Sequence, residues 1–366
     1  MANKYWIDGT GTWSTSNTAN WSLTSGGFGP APVPTASDVA IFDANSNIAG
    51  GNLDYTCTRT ATTAISGLQL NNPSAGSLTF DGTGAITIST SGLTIYSGVF
   101  YVATGNITIS GTCTVSTNGV SIAAQIIMNT AGITVTLGSA LTITNSNGLS
   151  LLQGTFFTNG YTVTLASFNS NATTARTFDI TNSSVYVLNG SFSLNSLATA
   201  FTFVSTNSTI YFKFTTTTTK NIGIYGLTFN NIIISSTTTT LSCNFNSASG
   251  STANILGSFQ YISVTGNPIS LNFTVGSIIN FKSFIVLGQA GSLVVLRSST
   301  TGVNFNFNGT GVVSCDYLNI ISSNATPSNT WYAGTHSTNG GSNTGWIFTA
   351  PPLPPNAKFL MFFNGS

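Results

Sequence analysis

The sequence predicts an all-β chain wound as a parallel β-solenoid, with a cap at each end. Three observations carry that expectation. Apolar and hydroxyl side chains alternate with period two along many short runs. The runs begin only six to eight residues apart, near Leu93, Val99, Ile107, Cys113 and Val120. All five tryptophans lie outside the middle of the chain.

The alternation is plain in Ile86-Thr87-Ile88, Leu93-Thr94-Ile95, Val99-Phe100-Tyr101-Val102, Ile107-Thr108-Ile109 and Cys113-Thr114-Val115, and it continues through Val120-Ser121-Ile122, Ile133-Thr134-Val135-Thr136-Leu137, Leu141-Thr142-Ile143 and Tyr161-Thr162-Val163-Thr164-Leu165. Thr suits the outward positions because it is β-branched, which favours a strand, and polar without charge. Hairpins of a sandwich space their turn signals by 8–12 residues. The shorter spacing here fits three strands and their corners making one coil of roughly twenty-odd residues, each coil stacked on the next. Gly92, Gly98, Gly105, Asn106, Gly111, Asn118 and Gly119 are the corner residues of that scheme. Because the repeat is loose, a multi-sheet β-sandwich is the alternative architecture.

A solenoid exposes an unpaired edge and an open core at each end, so it needs caps. Trp6, Trp13 and Trp21 stand at the start, near the proline-rich Phe28-Gly29-Pro30-Ala31-Pro32-Val33-Pro34, and Trp331 and Trp346 stand near the end. The expected division is an N-terminal cap over 1–65, coils over 66–325, a C-terminal cap over 326–349, and a linker with an apolar tail over 350–366. In that last piece Pro351-Pro352-Leu353-Pro354-Pro355 reads as a stiff polyproline II spacer. Phe359, Leu360, Met361, Phe362 and Phe363 follow it as a docking peptide, packed onto this chain or into another.

Composition excludes several functions. Only 4% of the 366 residues are charged, against roughly 25% in an ordinary soluble domain. Eight Lys and Arg face seven Asp, with no Glu. Scattered cations cannot form the basic stripe that nucleic acid requires. The mean hydropathy is +0.28, yet no run approaches the ~20 apolar residues of a membrane span. The opening Met1-Ala2-Asn3-Lys4-Tyr5-Trp6-Ile7-Asp8 lacks the apolar core of a secretory signal.

Metal and cofactor chemistry is not expected either. Cys57, Cys113, Cys243 and Cys315 are far apart and His336 is the only histidine, so a zinc cluster has no ligands. The cysteines read as free thiols, Cys113 and Cys243 at inward positions. Asp43, Asn45, Asn47 and Asp54 fall at calcium-loop positions, but Ile48 stands where the loop needs Gly, so an Asx-rich turn is the expectation. Thr215 to Thr219 read as a solvated loop or the outer face of a strand.

Catalysis would need paired carboxylates about 5–10 Å apart for glycoside hydrolysis. Asp8, Asp38, Asp43 and Asp54 crowd into the N-terminal cap, and Asp81, Asp179 and Asp316 are several coils apart. The chain is therefore expected not to be an enzyme.

The two ends also carry a resemblance. Tyr5-Trp6-Ile7-Asp8-Gly9-Thr10-Gly11-Thr12-Trp13-Ser14, Asn20-Trp21-Ser22, Val33-Pro34-Thr35 and Asp38-Val39-Ala40-Ile41-Phe42-Asp43-Ala44-Asn45-Ser46 resemble the opening of β-helical proteins of phages, particularly aquatic ones, and of bacterial surfaces. Trp331-Tyr332-Ala333-Gly334 and Gly340-Gly341-Ser342-Asn343-Thr344-Gly345-Trp346-Ile347-Phe348 resemble the closing segment of the same group. The resemblance covers about seventy residues. It implies a right-handed parallel β-helix and a structural role in a virion or at a cell surface, without a shared catalytic motif. The expectation is a tail fibre, spike or capsid decoration protein, made in the host cytoplasm and resident in the virion. Its partners would be other virion proteins or copies of itself, a trimer among the arrangements, and a host surface glycan. The alternatives are a bacterial adhesin or extracellular filament subunit, and a polysaccharide-degrading tailspike.

Overall fold

The structure is a computed structural model that describes residues 1–194, 200–238, 240–262, 269–309, 311–328 and 330–350. Within them the chain is all β, without a helix, and its parallel strands stack as a solenoid of about 11 turns. At one strand spacing per turn the stack is roughly 50 Å long.

Each turn contributes one strand to each of three faces. On the first face Thr63, Ile86, Ile107, Ile126, Leu149, Phe168 and Phe192 succeed one another in register. The second face runs through Val39–Phe42, 67–70, 92–95, Cys113–Ser116, Thr134–Leu137 and Gly154–Phe157. On the third, Leu141–Ile143, Val163–Leu165, Ser184–Leu188, Thr209–Phe214 and Asn231–Ser236 are stacked in the same way. Apolar side chains fill the bore and alternate residues point outward, so Ile86, Ile88, Ile107 and Ile109 are buried while Thr87 and Thr108 are half-exposed.

Corners turn on residues that tolerate a left-handed backbone. Asn118 and Gly119 have φ of 47° and 86°, and the Asn118 side chain donates to Ile95 O at 2.8 Å, 23 residues earlier. Gly105 is needed for a different reason. Its φ is not positive, but a Cβ there would stand 2.1 Å from the Gly84 carbonyl oxygen of the preceding coil.

Tryptophans plug the core at both ends. Trp6, Trp13 and Trp21 are fully buried with ring centroids 5.1–5.3 Å apart in edge-on pairs, and Phe42 and Phe80 continue the plug inward. At the other end Trp331 is fully buried and Trp346 half-buried, 5.3 Å apart, resting on Phe307. The ladders, however, do not break at residues 65 or 326. Asn3–Trp6 already pairs in parallel with Val39–Phe42, which pairs with 67–70. Ser323–Thr326 pairs with Phe305–Asn308 and leads on to the parallel pair Trp331–Tyr332 and Trp346–Ile347. What covers the first coil is the antiparallel Trp21–Ser22. The cap segments are thus coils with aromatic filling, because an end coil must close the bore as well as pair. The tail residues Phe359 to Phe363 lie outside the described residues.

Candidate functional site

The outward surface is nearly uncharged, so a site has to be built from amides, hydroxyls and a few cations. The best-formed arrangement lies on the first face, where Leu241–Asn246, Ile269–Phe273 and Val294–Ser298 stack. Their register places Asn221, Asn244, Asn272 and Arg297 above one another. Burial of Cys243, Phe245, Leu271 and Phe273 in the bore forces the polar residues between them outward.

The amides form a directed chain. Arg297 Nε donates to Asn272 Oδ1 at 2.7 Å, Asn272 Nδ2 to Asn244 Oδ1 at 2.8 Å, and Asn244 Nδ2 to Asn221 Oδ1 at 3.2 Å. Asn272 Nδ2 also donates to Ser242 Oγ at 2.6 Å, and Asn246 Nδ2 to Asn221 Oδ1 at 3.3 Å. Each side chain is held by a neighbour one coil away, which fixes its rotamer before any ligand arrives.

A groove runs along this ladder. One cavity of about 450 Å³ is lined by Asn244, Asn246, Asn272, Thr274, Arg297 and Ser299 among others. A second of about 390 Å³ adjoins it through Ser242 and Arg297. Both volumes lie within the range of small-ligand sites. The exposed loop 215–219 supplies Thr217 and Thr219 to the walls. That loop is the solvated segment expected from the sequence. It is thrust outward because the coil from Phe192 to Ile222 takes 30 residues, against 21 from Ile86 to Ile107. Opposite, the Ser299 hydroxyl accepts from Val275 N at 3.0 Å, and Thr274 Oγ1 accepts from Ser247 N at 3.1 Å.

Among the described residues Arg297 is the only charged side chain lining either cavity. It is exposed, and among the described residues no carboxylate bridges it. Lys220, one coil from Asn244, is engaged elsewhere. Its Nζ donates to Asn189 O, to Thr216 Oγ1 at 3.0 Å and to Thr218 Oγ1 at 2.6 Å.

The carboxylates build turns. Asp43 accepts from Asn45 N at 2.9 Å, an Asx turn, and Asp54 accepts from Ser77 N at 2.7 Å in the next coil. Asp81 and Asp179 are five coils apart, counted through Thr63, Ile86, Ile107, Ile126, Leu149 and Phe168. Among the described residues no group of three or more His, Cys or Asp side chains could hold a metal. Asp316 accepts from His336 Nδ1 at 2.8 Å and from the backbone N–H of His336 and Tyr317, and the His336 ring lies flat on Tyr317 at 4.5 Å. Burial alone would raise the Asp316 carboxyl, but these hydrogen bonds outweigh it and hold it below its ordinary range. The arrangement ties adjacent coils together.

All four cysteines are free thiols. Burial pushes the Cys113 thiol up to about 11 and those of Cys243 and Cys315 up to about 12. They pack as small core residues, Cys113 less completely than Cys243. Near the first coil Arg59 is buried beneath the rings of Trp13 and Phe80, at 5.4 and 5.8 Å, and donates to Gly84 O.

The groove is invisible in the sequence read as a string. Its trace is the repeat Leu241-Ser-Cys-Asn-Phe245, Ile269-Ser-Leu-Asn-Phe273 and Val294-Val-Leu-Arg-Ser298 at intervals of 28 and 25 residues. Aligning those segments would have put Asn244, Asn272 and Arg297 on one line. No family model matches the sequence, and neither curated proteins nor solved structures give a match.

Proposed function

We propose that this chain is a non-enzymatic structural component of a phage particle, a β-solenoid fibre, spike or decoration protein of tail or capsid that contacts host glycans. The observation that carries the proposal is a parallel stack of about 11 turns, plugged by tryptophan at both ends and clad in hydroxyl and amide groups. Each coil pairs with two neighbours, so the stack resists bending and unzipping as a rod would. Its outer faces give hydrogen bonds without charge, which favours saccharides over nucleic acid or acidic protein surfaces. The resemblance of the two ends to β-helical phage and bacterial surface proteins points the same way. In this reading Phe359 to Phe363, on their proline spacer, anchor the rod in a neighbouring subunit.

Deletion of 356–366 tests the anchoring. The shortened chain is expected to keep its β circular dichroism and to be absent from purified particles. Full incorporation would overturn the docking role. Polymerisation of the pure protein into filaments without any virion would instead favour an extracellular filament or adhesin.

A further inference from the structure

We propose that the groove beside Arg297 binds a monoanionic, carboxylate-bearing sugar residue within a host saccharide. This rests on the glycan-contact reading above and narrows it to one site and one ligand class.

The argument begins with the one charge. Arg297 spends only Nε on the protein, in its 2.7 Å bond to Asn272. Arg297 lines both cavities, and no protein partner for its two Nη groups occurs among the described residues. A planar guanidinium with two parallel donors matches a carboxylate in bidentate fashion. The bond to Asn272 sets the plane of the fork, and Asn272 is itself buried and held by Asn244 and Ser242. The cation is thereby oriented in advance, which removes part of the ordering cost of binding.

The charge count narrows the ligand. With one free cation and no second one lining the groove among the described residues, a single negative charge is neutralised and a dianionic phosphate is not. Lys220 cannot assist, because its three donors are taken by Asn189, Thr216 and Thr218.

The remaining lining suits the rest of a sugar. Asn244 and Asn246 each retain a donor and an acceptor beyond those used in the ladder, whereas Asn272, with both Nδ2 hydrogens spent on Ser242 and Asn244, retains only acceptor capacity at Oδ1. A free amide both donates to and accepts from a hydroxyl. Ser242, Thr217 and Thr219 add hydroxyls along the wall. The amides recur at the strand spacing of about 4.8 Å, so they form a line of contacts suited to an extended oligosaccharide.

The test is equilibrium binding of the full chain, by calorimetry and saturation-transfer NMR, to three probes. These are an oligosaccharide of alternating glucuronic acid and N-acetylglucosamine, the same compound with its carboxyls reduced to alcohols, and a sulfated analogue. The carboxylated compound should bind tightest. Arg297→Ala should weaken it about 10-fold to 100-fold, the value of a charge-assisted pair. Arg297→Lys should recover only part of that, since it restores charge without the fork. Arg297 is exposed, so an unchanged melting profile will certify each variant's fold. Equal binding of the reduced compound, tighter binding of the sulfated one, retention of affinity in Arg297→Ala, or no binding at all would each overturn the proposal. If the site fails while deletion of 356–366 still removes the protein from particles, the rod function stands without this ligand.

Discussion

Two stretches of the same solenoid solve the packing problem differently. From Thr63 to Phe168 successive first-face residues are 19 to 23 positions apart, as in Ile107 over Ile126 and Ile126 over Leu149. From Phe168 to Leu296 they are 23 to 30 apart, as in Phe192 over Ile222 and Leu241 over Ile269. The shorter coils bury mostly Ile, Leu, Val and Met, with Phe80, Tyr101 and Phe156 the aromatic exceptions. The longer ones bury Phe192, Phe212, Phe229, Phe245, Phe259 and Phe273, many in ring contact. The longer coils also carry longer strands, such as Thr209–Phe214 and Leu241–Asn246 against Ile107–Ile109 and Leu141–Ile143, and an interior packed to crystal-like density between longer strands is filled by larger side chains. The outside changes in parallel. Thr87 and Thr108 on the first face of the short coils give way to Asn244, Asn272 and Arg297 on the long ones. A long coil also has residues to spare for projecting loops such as 215–219, and the groove lies where they project.

That contrast can be broken most forcefully in the bore. Phe307 touches Phe273, Phe281, Phe284, Phe305 and Trp331 at 4.8–5.7 Å between ring centroids. Phe307→Ala should cost about 3–5 kcal/mol, against about 0.5–1.5 kcal/mol for Ile109→Val in the short coils. Because each coil leans only on its neighbours, the C-terminal coils should then melt first. Calorimetry should resolve two transitions in Phe307→Ala, and a single shifted transition would mean that the two stretches unfold as one unit.

A smaller effect is expected on the surface. Asn244→Ala removes one donor and one acceptor from the amide chain and should cost about 1 kcal/mol. Thr108→Ala, whose side chain enters no comparable chain, should stay within about 0.5 kcal/mol of the parent. Equal losses in urea titrations would show that the ladder adds nothing beyond strand propensity.

Acid should act weakly at both ends. The Ser77 amide and hydroxyl lower the Asp54 carboxyl. At Asp38, burial opposes the shift, but bonds from Thr35 and Ala2 prevail and lower it, as those at Asp316 do. A carboxyl with a lowered folded pKa stabilises the fold above its unfolded value and loses that contribution as pH falls through the folded one. Melting temperatures should therefore be insensitive to these groups above pH ~5 and should decline below about pH 4. Asp316→Asn should flatten part of that decline. A decline beginning at neutral pH would assign it to other groups.

Much of the architecture was legible from residue order. Alternation such as Ile107-Thr108-Ile109 places one side chain in and the next out whatever lies beside the strand, because the pleat has period two. Positive backbone angles at Asn118 and Gly119, and the tryptophan plugs, follow from equally local chemistry. Coil length, by contrast, depends on how many residues each strand and corner takes, and that length ranges from 19 to 30 residues without a mark in the local pattern. Register is the sum of those counts. Only the folded stack decides that Asn221, Asn244, Asn272 and Arg297 share one line, or that the residues set apart as caps are coils of the same ladders. The direction of each side chain is a property of its own strand, whereas its neighbour in the next coil is settled by every turn in between.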